Sequence, residues 1–553
     1  MASVCITQRC GLCSFSLHHG EDIKAASEDG QLSEQLPNDP AMMAKHIPCV
    51  GACSHSGGQA TGCHVECVNQ VPIERLPALL KLTTPNYEPT PSECARRAAW
   101  LHRKSASVLS RTLGILSPEL HYQITGYCLR SFAVEYAKAI LTLHDTPTNP
   151  TTLCLSVTDE IWAHRANFEG INYLSSLSNS ADKYHAELIF KPDPKRSVEI
   201  IYVAENHLGV EQMIFCTCSD RPEINKSQDL WWRMVHVETS TRLVVQRDSL
   251  KIRSVAFEEK QTTSPLTLWA TPPLKPVRYV QLEHSPQATR MSSLLLNKPC
   301  VVGYAFYWYL RIKSMHAVTC EEDFSFYHGN NNGIWMYLPL HEGEKIAEVW
   351  RLGETKWNMA LIFKTTRGRT VIVGPPLGML STTPPSLLAL PCQQTSSHLF
   401  FEASRIGVRN IAFDSPEPKK PLDYTITLPK PSNIPGSDYF YSTATLGGVN
   451  EITPCQARIN GQTKVIGLLL RYSDGYRACL GQIRLDCLST SLQVGSNWSM
   501  WLVFSKDEHG CFVAGLTLSR PEKDKLPCSL EVCDLDDLDW WFYLQDCKVH
   551  RRR

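Results

Sequence analysis

The stretch KVIGLLLRYSDGYRACLGQIRL, residues 464–485, decides the fold of most of the chain. Apolar residues, often two positions apart, lie on both sides of Ser473-Asp474-Gly475-Tyr476. An alternation of period two is typical of a β-strand with one buried face. The glycine provides the positive φ that a tight reversal requires. The stretch therefore predicts an antiparallel hairpin.

Two other stretches share this layout, EIWAHRANFEGINYLSSLS at 160–178 and EVWRLGETKWNMALIFKTTRGRTVIVGPP at 348–376. From about residue 151 to the end, short apolar runs are separated by Gly, Pro, Asn and Asp, which is typical of strands joined by turns. We therefore predict a large, mainly antiparallel β region of sandwich-like hairpin units, and these units also resemble those of jacalin-type lectins. We divide it into two domains, 151–290 and 291–553.

A segment of different character, residues 76–150, precedes the β region. SECARRAAWLHRKSASVLSRTL, residues 92–113, has loosely helical spacing of apolar residues, with Ser92 available as an N-cap. In the next run Ser117 is the expected cap and Pro118 the first helical residue. Apolar residues then follow at three- and four-residue steps, namely Leu120, Ile124, Tyr127, Cys128 and Phe132. Such a stripe indicates either ordinary core packing or a helix that binds a partner.

Residues 1–75 form a Cys/His-rich module. Cys10 and Cys13 have the spacing of a knuckle that offers two thiolates to one tetrahedral Zn²⁺. The second half of a site can come from several pairs of usable spacing, which are His46/Cys49, Cys49/Cys53, Cys63/Cys67 and His64/Cys67. Either one treble-clef-like site uses Cys10, Cys13, His64 and Cys67, or two interleaved sites use nearly all of these residues.

The simpler alternative is that these cysteines are free thiols packed in a small core. A module of this size, interrupted by the polar stretch 20–40, buries too little apolar surface to be stable without a bound metal or another cross-link. We therefore expect structural zinc, and we expect residues 20–40 to form a mobile loop. The overall fold class is then α+β: a small zinc-type module, a short helical segment and a large β region.

Composition limits the partners. The chain has 553 residues, with 55 Lys plus Arg balanced by 55 Asp plus Glu, so no general attraction to nucleic acid or to a membrane surface is expected. The N-terminal residues do not show a basic region followed by an unbroken apolar run, and no later segment is apolar enough to span a membrane. We expect a cytoplasmic or nuclear protein whose 22 cysteines stay reduced.

Signatures of enzymes are missing from the sequence. It contains no G-x-S-x-G, no G-x-x-x-x-G-K-[ST], no helix-opening G-x-G-x-x-G and no H-E-x-x-H. We therefore expect an interaction protein rather than an enzyme.

Taken in order, several segments resemble a family of filamentous-fungal F-box-domain proteins of uncharacterised function. The resemblance rests on Cys10-Gly-Leu-Cys13, on GCHVEC at 62–67, on SPELHYQITGYCLRSFAVEYA at 117–137 and on the stretch at 160–179. It continues through segments that begin at residues 296, 360, 467 and 538, and so covers most of the chain.

The resemblance implies a function. An F-box is a short helical module that begins near Leu-Pro-x-Glu and docks on the Skp-type adaptor of a cullin ubiquitin ligase; here Ser117 is inserted between Leu116 and Pro118. The contact residues that the resemblance implies are Leu116, Pro118, Leu120, Ile124 and Leu129. The β region would then choose a client protein. The alternative from another class is a lectin-like or small-ligand-binding accessory protein, such as one of a fungal specialised-metabolite pathway.

Overall fold

The structure is a computed structural model. It describes residues 4–27, 30–37, 46–48, 59–112, 116–144, 152–181, 186–217, 230–237, 242–258, 267–283, 290–322, 324–327, 332–355, 357–392, 394–418, 438–495, 497–520, 528–544 and 546–552. Of the described residues, 48% lie in strands and 17% in helices. The chain divides into two compact units, residues 1–272 and 273–553. The finer four-part division stays a prediction.

The α-helices of the described residues lie in unit 1 and end before the β region, whereas short 3-10 helices occur in both units. The α-helices are α1 (Val65–Asn69), α2 (Leu76–Thr83), α3 (Pro91–Thr112) and α4 (Pro118–His144). Helix α4 begins at Pro118 as predicted, and the hydroxyl of Ser117 accepts from the Leu120 amide at 3.4 Å. No helix in the described part of the chain has the length and apolar character needed to cross a membrane.

The predicted cap of α3 is wrong. Helix α3 starts at Pro91, so Ser92 lies inside it. The Glu93 amide donates to the Thr90 hydroxyl at 3.1 Å, and the Thr90 amide donates to the Glu93 carboxylate at 2.5 Å. This reciprocal pair is a capping box, which requires Glu or Gln three positions after the cap. Thr90 has Glu93 at that position, whereas Ser92 has Ala95.

Unit 1 contains fifteen strands among its described residues. They are β1 (Val4–Ile6), β2 (Asp22–Ala26), β3 (Leu36–Pro37), β4 (His46–Pro48), β5 (Gln59–His64), β6 (Thr152–Ser156), β7 (Ile161–Phe168), β8 (Ile171–Ser178), β9 (Glu187–Phe190), β10 (Ile200–Asn206), β11 (Gly209–Cys216), β12 (Trp231–His236), β13 (Arg242–Arg247), β14 (Ile252–Phe257) and β15 (Leu268–Trp269).

The N-terminal sheet of unit 1 has the order β3-β2-β5-β1-β4. Strand β1 is parallel to β4 and β5, whereas β2 is antiparallel to β5. The other strands form the sheets β8-β7-β9 and β14-β13-β6 and the run β11-β10-β12-β15. The polar stretch 20–40 was predicted to be a loop, and this is wrong for residues 22–26 and 36–37, which form β2 and β3. Ile23, Ala25 and Ala26 are buried because β2 pairs with β5 along the N-terminal sheet.

One apolar core joins the N-terminal sheet to the helices. It contains Leu12, Leu79, Leu101 and Val134, together with Phe168 of β7. Because these residues come from three of the predicted segments, the Cys/His-rich stretch packs within a larger core instead of supporting itself. A second core lies among β6–β14 and includes Ile161, Leu174, Val203 and Val245.

Unit 2 is built from strands among its described residues. They are β16 (Arg278–Gln281), β17 (Arg290–Leu296), β18 (Val301–Tyr309), β19 (Arg311–Thr319), β20 (Ile334–Pro339), β21 (Ile346–Leu352), β22 (Ala360–Thr365), β23 (Thr370–Val373), β24 (Ser386–Ala389), β25 (Ser397–Glu402), β26 (Asn410–Phe413), β27 (Phe440–Thr445), β28 (Val449–Ile459), β29 (Gln462–Tyr472), β30 (Arg477–Gly481), β31 (Leu492–Gln493), β32 (Ser499–Asp507), β33 (Gly510–Thr517), β34 (Ser529–Cys533), β35 (Asp537–Tyr543) and β36 (Asp546–Arg552).

These strands form several sheets around one large core. Their orders are β17-β25-β26-β16, β19-β18-β20, β23-β22-β21-β24, β27-β35-β36 and β31-β28-β29-β33-β32-β34, with β30 also paired to β29. The core between them is rich in large apolar side chains such as Tyr304, Phe306, Phe363, Leu468 and Trp540.

The three hairpins predicted from sequence are present. Strands β7–β8, β22–β23 and β29–β30 each pair in antiparallel register. Their turns contain Gly170, Gly368 and Gly475, with φ of +82°, +80° and +82°. The coarse prediction of a mostly β chain with a Cys/His cluster is therefore confirmed.

Candidate metal centre

Four side chains converge in unit 1: Cys10, Cys13, His64 and Cys67. Cys10 and Cys13 lie on the loop that follows β1, His64 ends β5, and Cys67 is in α1. All four are at most 3% exposed. The bend between β5 and α1 brings His64 and Cys67 to the same side, because the chain changes from extended to helical at His64.

The loop of Cys10 and Cys13 is held tightly against β5. The Gly11 amide donates to the Gly62 carbonyl at 2.8 Å, and the Ser14 amide donates to the Cys10 carbonyl at 2.8 Å. A Cβ on Gly11 would lie 2.2 Å from the side chain of Thr61. Only glycine therefore allows the loop to approach β5 this closely.

The distances suit a tetrahedral ion. The candidate ligand atoms all lie within 4.8 Å of one another. His64 Nδ1 is 3.4 Å from Cys13 Sγ and 3.7 Å from Cys67 Sγ. Around Zn²⁺ a nitrogen and a sulfur ligand are separated by about 3.5 Å, given bonds of about 2.0 and 2.3 Å. The cysteines are free thiols, so all of them are available to an ion.

Electrostatics in the cluster favour one thiolate. Burial opposes ionisation of Cys10, but hydrogen bonds from the neighbouring thiols and from His64 outweigh it and hold the pKa of Cys10 well below its ordinary value. Hydrogen bonding to Cys10 raises the pKa of the Cys13 and Cys67 thiols, and burial and the charge on Cys10 act in the same direction. Burial lowers the pKa of His64, yet the Cys10 thiolate outweighs this and raises it. In this buried group, ionisation of one thiol disfavours ionisation of the others. A bound cation would stabilise the thiolates and remove this penalty.

A carboxylate lies behind the His64 ring, on the side away from the thiols. Glu21 Oε2 lies 3.4 Å from His64 Nε2, without the geometry of a hydrogen bond. Glu21 is itself held, because its carboxylate accepts from Arg130 of α4 at 2.8 Å and from the His18 amide at 2.7 Å. A carboxylate behind a histidine ligand fixes the orientation of the ring and increases its basicity.

The other predicted ligands have different positions. Cys63 is buried beside the cluster, where hydrogen bonding to Cys10 and burial raise its pKa, but it is outside the group of four. His46 lies in β4, with its side chain outside the described part of the chain, and Cys49 lies outside the described residues. The single-site arrangement is the one that the described residues form. A second site stays a prediction.

Sequence reasoning missed Glu21 and Arg130 because they lie far from the cysteines in the chain. It also missed Arg97, whose guanidinium donates to the Cys13 carbonyl at 2.8 Å. No local spacing points to these residues. The only signal is that Glu21 occurs in a polar stretch that flanks β2.

The predicted partner residues lie near the start of α4. Leu120 is 45% exposed and Ile124 is 38% exposed, and Tyr127 on the same face is 94% exposed. Pro118 is exposed and Leu116 is half-buried. Leu129 is also half-buried and packs against the core of unit 1, so it points away from that surface.

Polar residues occupy the buried side of the same turns. His121 and Thr125 are almost fully buried. The ring of His102 in α3 stacks on Tyr122 with centroids 3.7 Å apart, and its Nδ1 lies 3.2 Å from the Thr125 hydroxyl. The first turns of α4 are therefore inverted, with polar groups inward and apolar groups outward.

Fold and site define a mainly β protein with a buried Cys₃His cluster that can hold a metal ion. No protein-family model matches the chain, and no curated protein matches its sequence.

Proposed function

We propose that the chain is a non-enzymatic interaction protein in which the start of α4 docks on a protein partner. The partner favoured by the resemblance to F-box-domain proteins is a Skp-type adaptor of a cullin ubiquitin ligase. In that role the protein acts in the cytoplasm or the nucleus and uses a β-rich region to choose a client. Binding supplies proximity, and another protein carries out the chemistry.

The observation that carries this proposal is the inverted start of α4. Leu120, Ile124 and Tyr127 follow one another at steps of four and three residues, so they share one helix face, which we call the α4 face. Burial of these side chains by a partner would remove apolar surface from water, which is favourable. Three adjacent apolar side chains on one exposed helix face are typical of a helix that binds in an apolar groove.

The surface is limited in length, which favours a specific contact. The next residues along the same line are Ser131 and Glu135, and both are exposed and polar. The α4 face therefore covers the seven-residue step from Leu120 to Tyr127, which is about 10 Å of helix. This length suits an anchor of two turns in a larger interface.

We propose that the ion in the Cys₃His cluster is structural zinc. Three thiolates and one imidazole are the soft donor set that Zn²⁺ prefers, and four protein ligands leave no open position for catalysis. Bound there, the ion would connect the β1 loop to the junction of β5 and α1. For the β region we propose sandwich-like or jacalin-like hairpin units, which the three glycine-turn hairpins support.

The docking proposal is tested by titrating the purified protein with a purified Skp-type adaptor in a calorimeter. The double variant Leu120→Asp, Tyr127→Asp places two charges on the α4 face and should abolish binding. Ala139→Asp is the matched control, because Ala139 is exposed on the same helix beyond the α4 face. It should bind like the unmodified protein.

Two results would contradict the proposal. Failure of the unmodified protein to bind the adaptor at micromolar concentrations would remove the ubiquitin-ligase role. Equal binding by the double variant and Ala139→Asp would show that the α4 face is not the contact surface.

A further inference from the structure

A cavity of about 330 Å³ lies within unit 2. Phe542 of β35 and residues of adjoining turns contribute to its wall, and most of the lining comes from four strands: β20, β23, β27 and β30. In the described part of unit 2, each of these strands pairs with a neighbour on one side only. The cavity therefore lies where the edges of four sheets meet. Its volume is at the lower end of the roughly 300–1,000 Å³ of small-molecule sites.

Edge strands give this cavity hydrogen-bonding groups. A strand with one neighbour leaves a row of backbone N–H and C=O groups without a partner in the sheet. Several of these groups are already used. The Pro339 and Arg477 carbonyls accept from Arg369 at 2.6 and 3.3 Å, the Thr445 carbonyl accepts from the Tyr472 hydroxyl, and the amides of Trp335 and Gly481 donate to Gln482 and Ser442. The remaining backbone groups of the four edges can bind a hydroxyl or a carbonyl group of a ligand.

The side chains on the wall are mostly aromatic. Rings from β20, β27, β35 and the turn before β30 surround the space, namely Tyr337, Phe440, Tyr441, Tyr476 and Phe542. Their positions are fixed by packing with one another and with buried neighbours. Phe440 stacks on Phe542 with centroids 5.7 Å apart, and Tyr441 lies 4.6 Å from the ring of Trp541. Rings held in this way offer surfaces on which a flat ligand can stack.

Among the described residues of the wall there is one cation, and a buried carboxylate behind it neutralises its charge. This cationic side chain, Arg369, donates to the Glu344 carboxylate at 2.8 Å through Nε and again through Nη2, and Glu344 is buried. The guanidinium also covers the ring of Tyr476 at 4.9 Å. Burial raises the pKa of Cys479 and of Tyr337, so both stay neutral. An ionised ligand would find no free counter-charge here and would lose its hydration.

A sugar is a poorer match than an aromatic molecule. Sugar binding needs several free polar side chains, and the main hydroxyls here are engaged. Ser442 accepts from the Gly481 amide at 2.7 Å, Tyr441 donates to Asp539 at 2.7 Å, and Thr443 accepts from Arg552 at 2.9 Å.

We infer that this cavity binds an uncharged, largely aromatic small molecule that carries hydroxyl or carbonyl groups. The inference does not depend on the proposed docking role of α4, which belongs to the other unit. A failure of either one leaves the other intact.

The test uses the full chain and three uncharged probes, 2-naphthol, coumarin and flavone, in calorimetry and ligand-observed NMR. Two further compounds test the class: anionic 2-naphthoate and methyl α-glucoside. At least one uncharged probe should bind saturably. We expect 2-naphthoate to bind at least about tenfold more weakly than 2-naphthol, because its charge must be desolvated.

Substitutions locate the binding. Ala478→Phe fills the cavity, and Leu377→Ser removes an apolar contact at a half-exposed position of its wall. Each should raise the Kd of the bound probe by about tenfold or more. Ala457→Phe is the matched control, since Ala457 is a half-buried alanine of β28 that does not line the cavity. Its Kd should match that of the unmodified protein.

Three outcomes would overturn the inference. The first is that none of the three uncharged probes binds up to its solubility limit. The second is that a folded Leu377→Ser variant and a folded Ala478→Phe variant both keep the original Kd. The third is that the glucoside or the naphthoate binds more tightly than every uncharged probe. If Ala478→Phe fails to fold, Leu377→Ser alone decides the location.

Discussion

The guanidinium of Arg97 joins the carboxylate of Glu169 through two hydrogen bonds of 2.6 Å, and both side chains are buried. The third contact of this guanidinium is the Cys13 carbonyl. One residue of α3 therefore connects the turn between β7 and β8 with the loop of the metal centre.

Arg97→Ala should destabilise unit 1 strongly. The substitution leaves the Glu169 carboxylate buried without its partner, and removal of one member of a buried ion pair costs about 3–5 kcal/mol. Urea unfolding followed by circular dichroism measures the change. Arg165→Ala is the control, because the Arg165–Glu187 pair is largely exposed and should contribute less than about 1 kcal/mol. Similar losses for the two variants would contradict this account.

Substitutions at the candidate metal centre should distinguish the metal ligands from Cys63, which lies beside them. Cys10→Ser, Cys67→Ser and His64→Ala should each lose one equivalent of zinc as measured by mass spectrometry of the purified protein, and the temperature of unfolding should fall. Cys63→Ser should keep its zinc, because Cys63 is buried beside the cluster and is not in the group of four. Full zinc content in both Cys10→Ser and Cys67→Ser would show that the cluster is packing alone.

Glu21→Gln should weaken metal binding without abolishing it. The neutral amide supports the His64 ring less well than the carboxylate, and loss of such a partner costs about 10–100-fold in metal affinity. Competition with a zinc-binding dye gives the affinity. Glu34→Gln is the matched control, since Glu34 is an exposed carboxylate of the same polar stretch. An unchanged affinity in Glu21→Gln would remove the orienting role.

The buried ammonium of Lys251 should make the stability of the protein increase with pH in the alkaline range. Burial lowers the pKa of Lys251 to about 8, although Asp248 at 2.9 Å acts in the opposite direction. An unfolded lysine has a pKa of about 10.4, so between these values the unfolded chain binds more protons and stability rises with pH. Below pH 8 the cost of the buried charge is fully present.

The measurement compares the free energy of unfolding of the unmodified protein with that of Lys251→Met at each pH. The difference between the two removes the contribution of groups that titrate in both proteins. Between pH 7.5 and 10 the free energy of unfolding of the unmodified protein should increase relative to the variant by up to about 3 kcal/mol. A difference that is constant over this interval, or one that decreases, would contradict the lowered pKa.

Turn chemistry made the β region predictable. Gly170, Gly368 and Gly475 each lie between two apolar runs, and each adopts the positive φ that the reversal needs. This information is local, because the turn and its flanking strands are contiguous. The order of strands within sheets was not predictable, since it depends on contacts between residues far apart in the chain.

The metal centre was predictable as a set of candidates and not as a choice. Cys63 and His64 both have usable spacing to Cys67, and the structure uses His64 because the chain turns from β5 into α1 at that residue. For α4, the stripe was visible in sequence, but its exposure was not. It depends on His102, which gives the buried Thr125 a polar neighbour in α3.

The sequence separation inside the metal centre has a consequence for synthesis. Cys13 and His64 are 51 positions apart, and ribosomes add about 5–20 residues per second. The thiols of Cys10 and Cys13 therefore emerge about 3–10 seconds before the residues that complete the candidate metal centre. During this interval the nascent chain carries these two thiols without the partners that bury them in the folded protein, and they are open to oxidation.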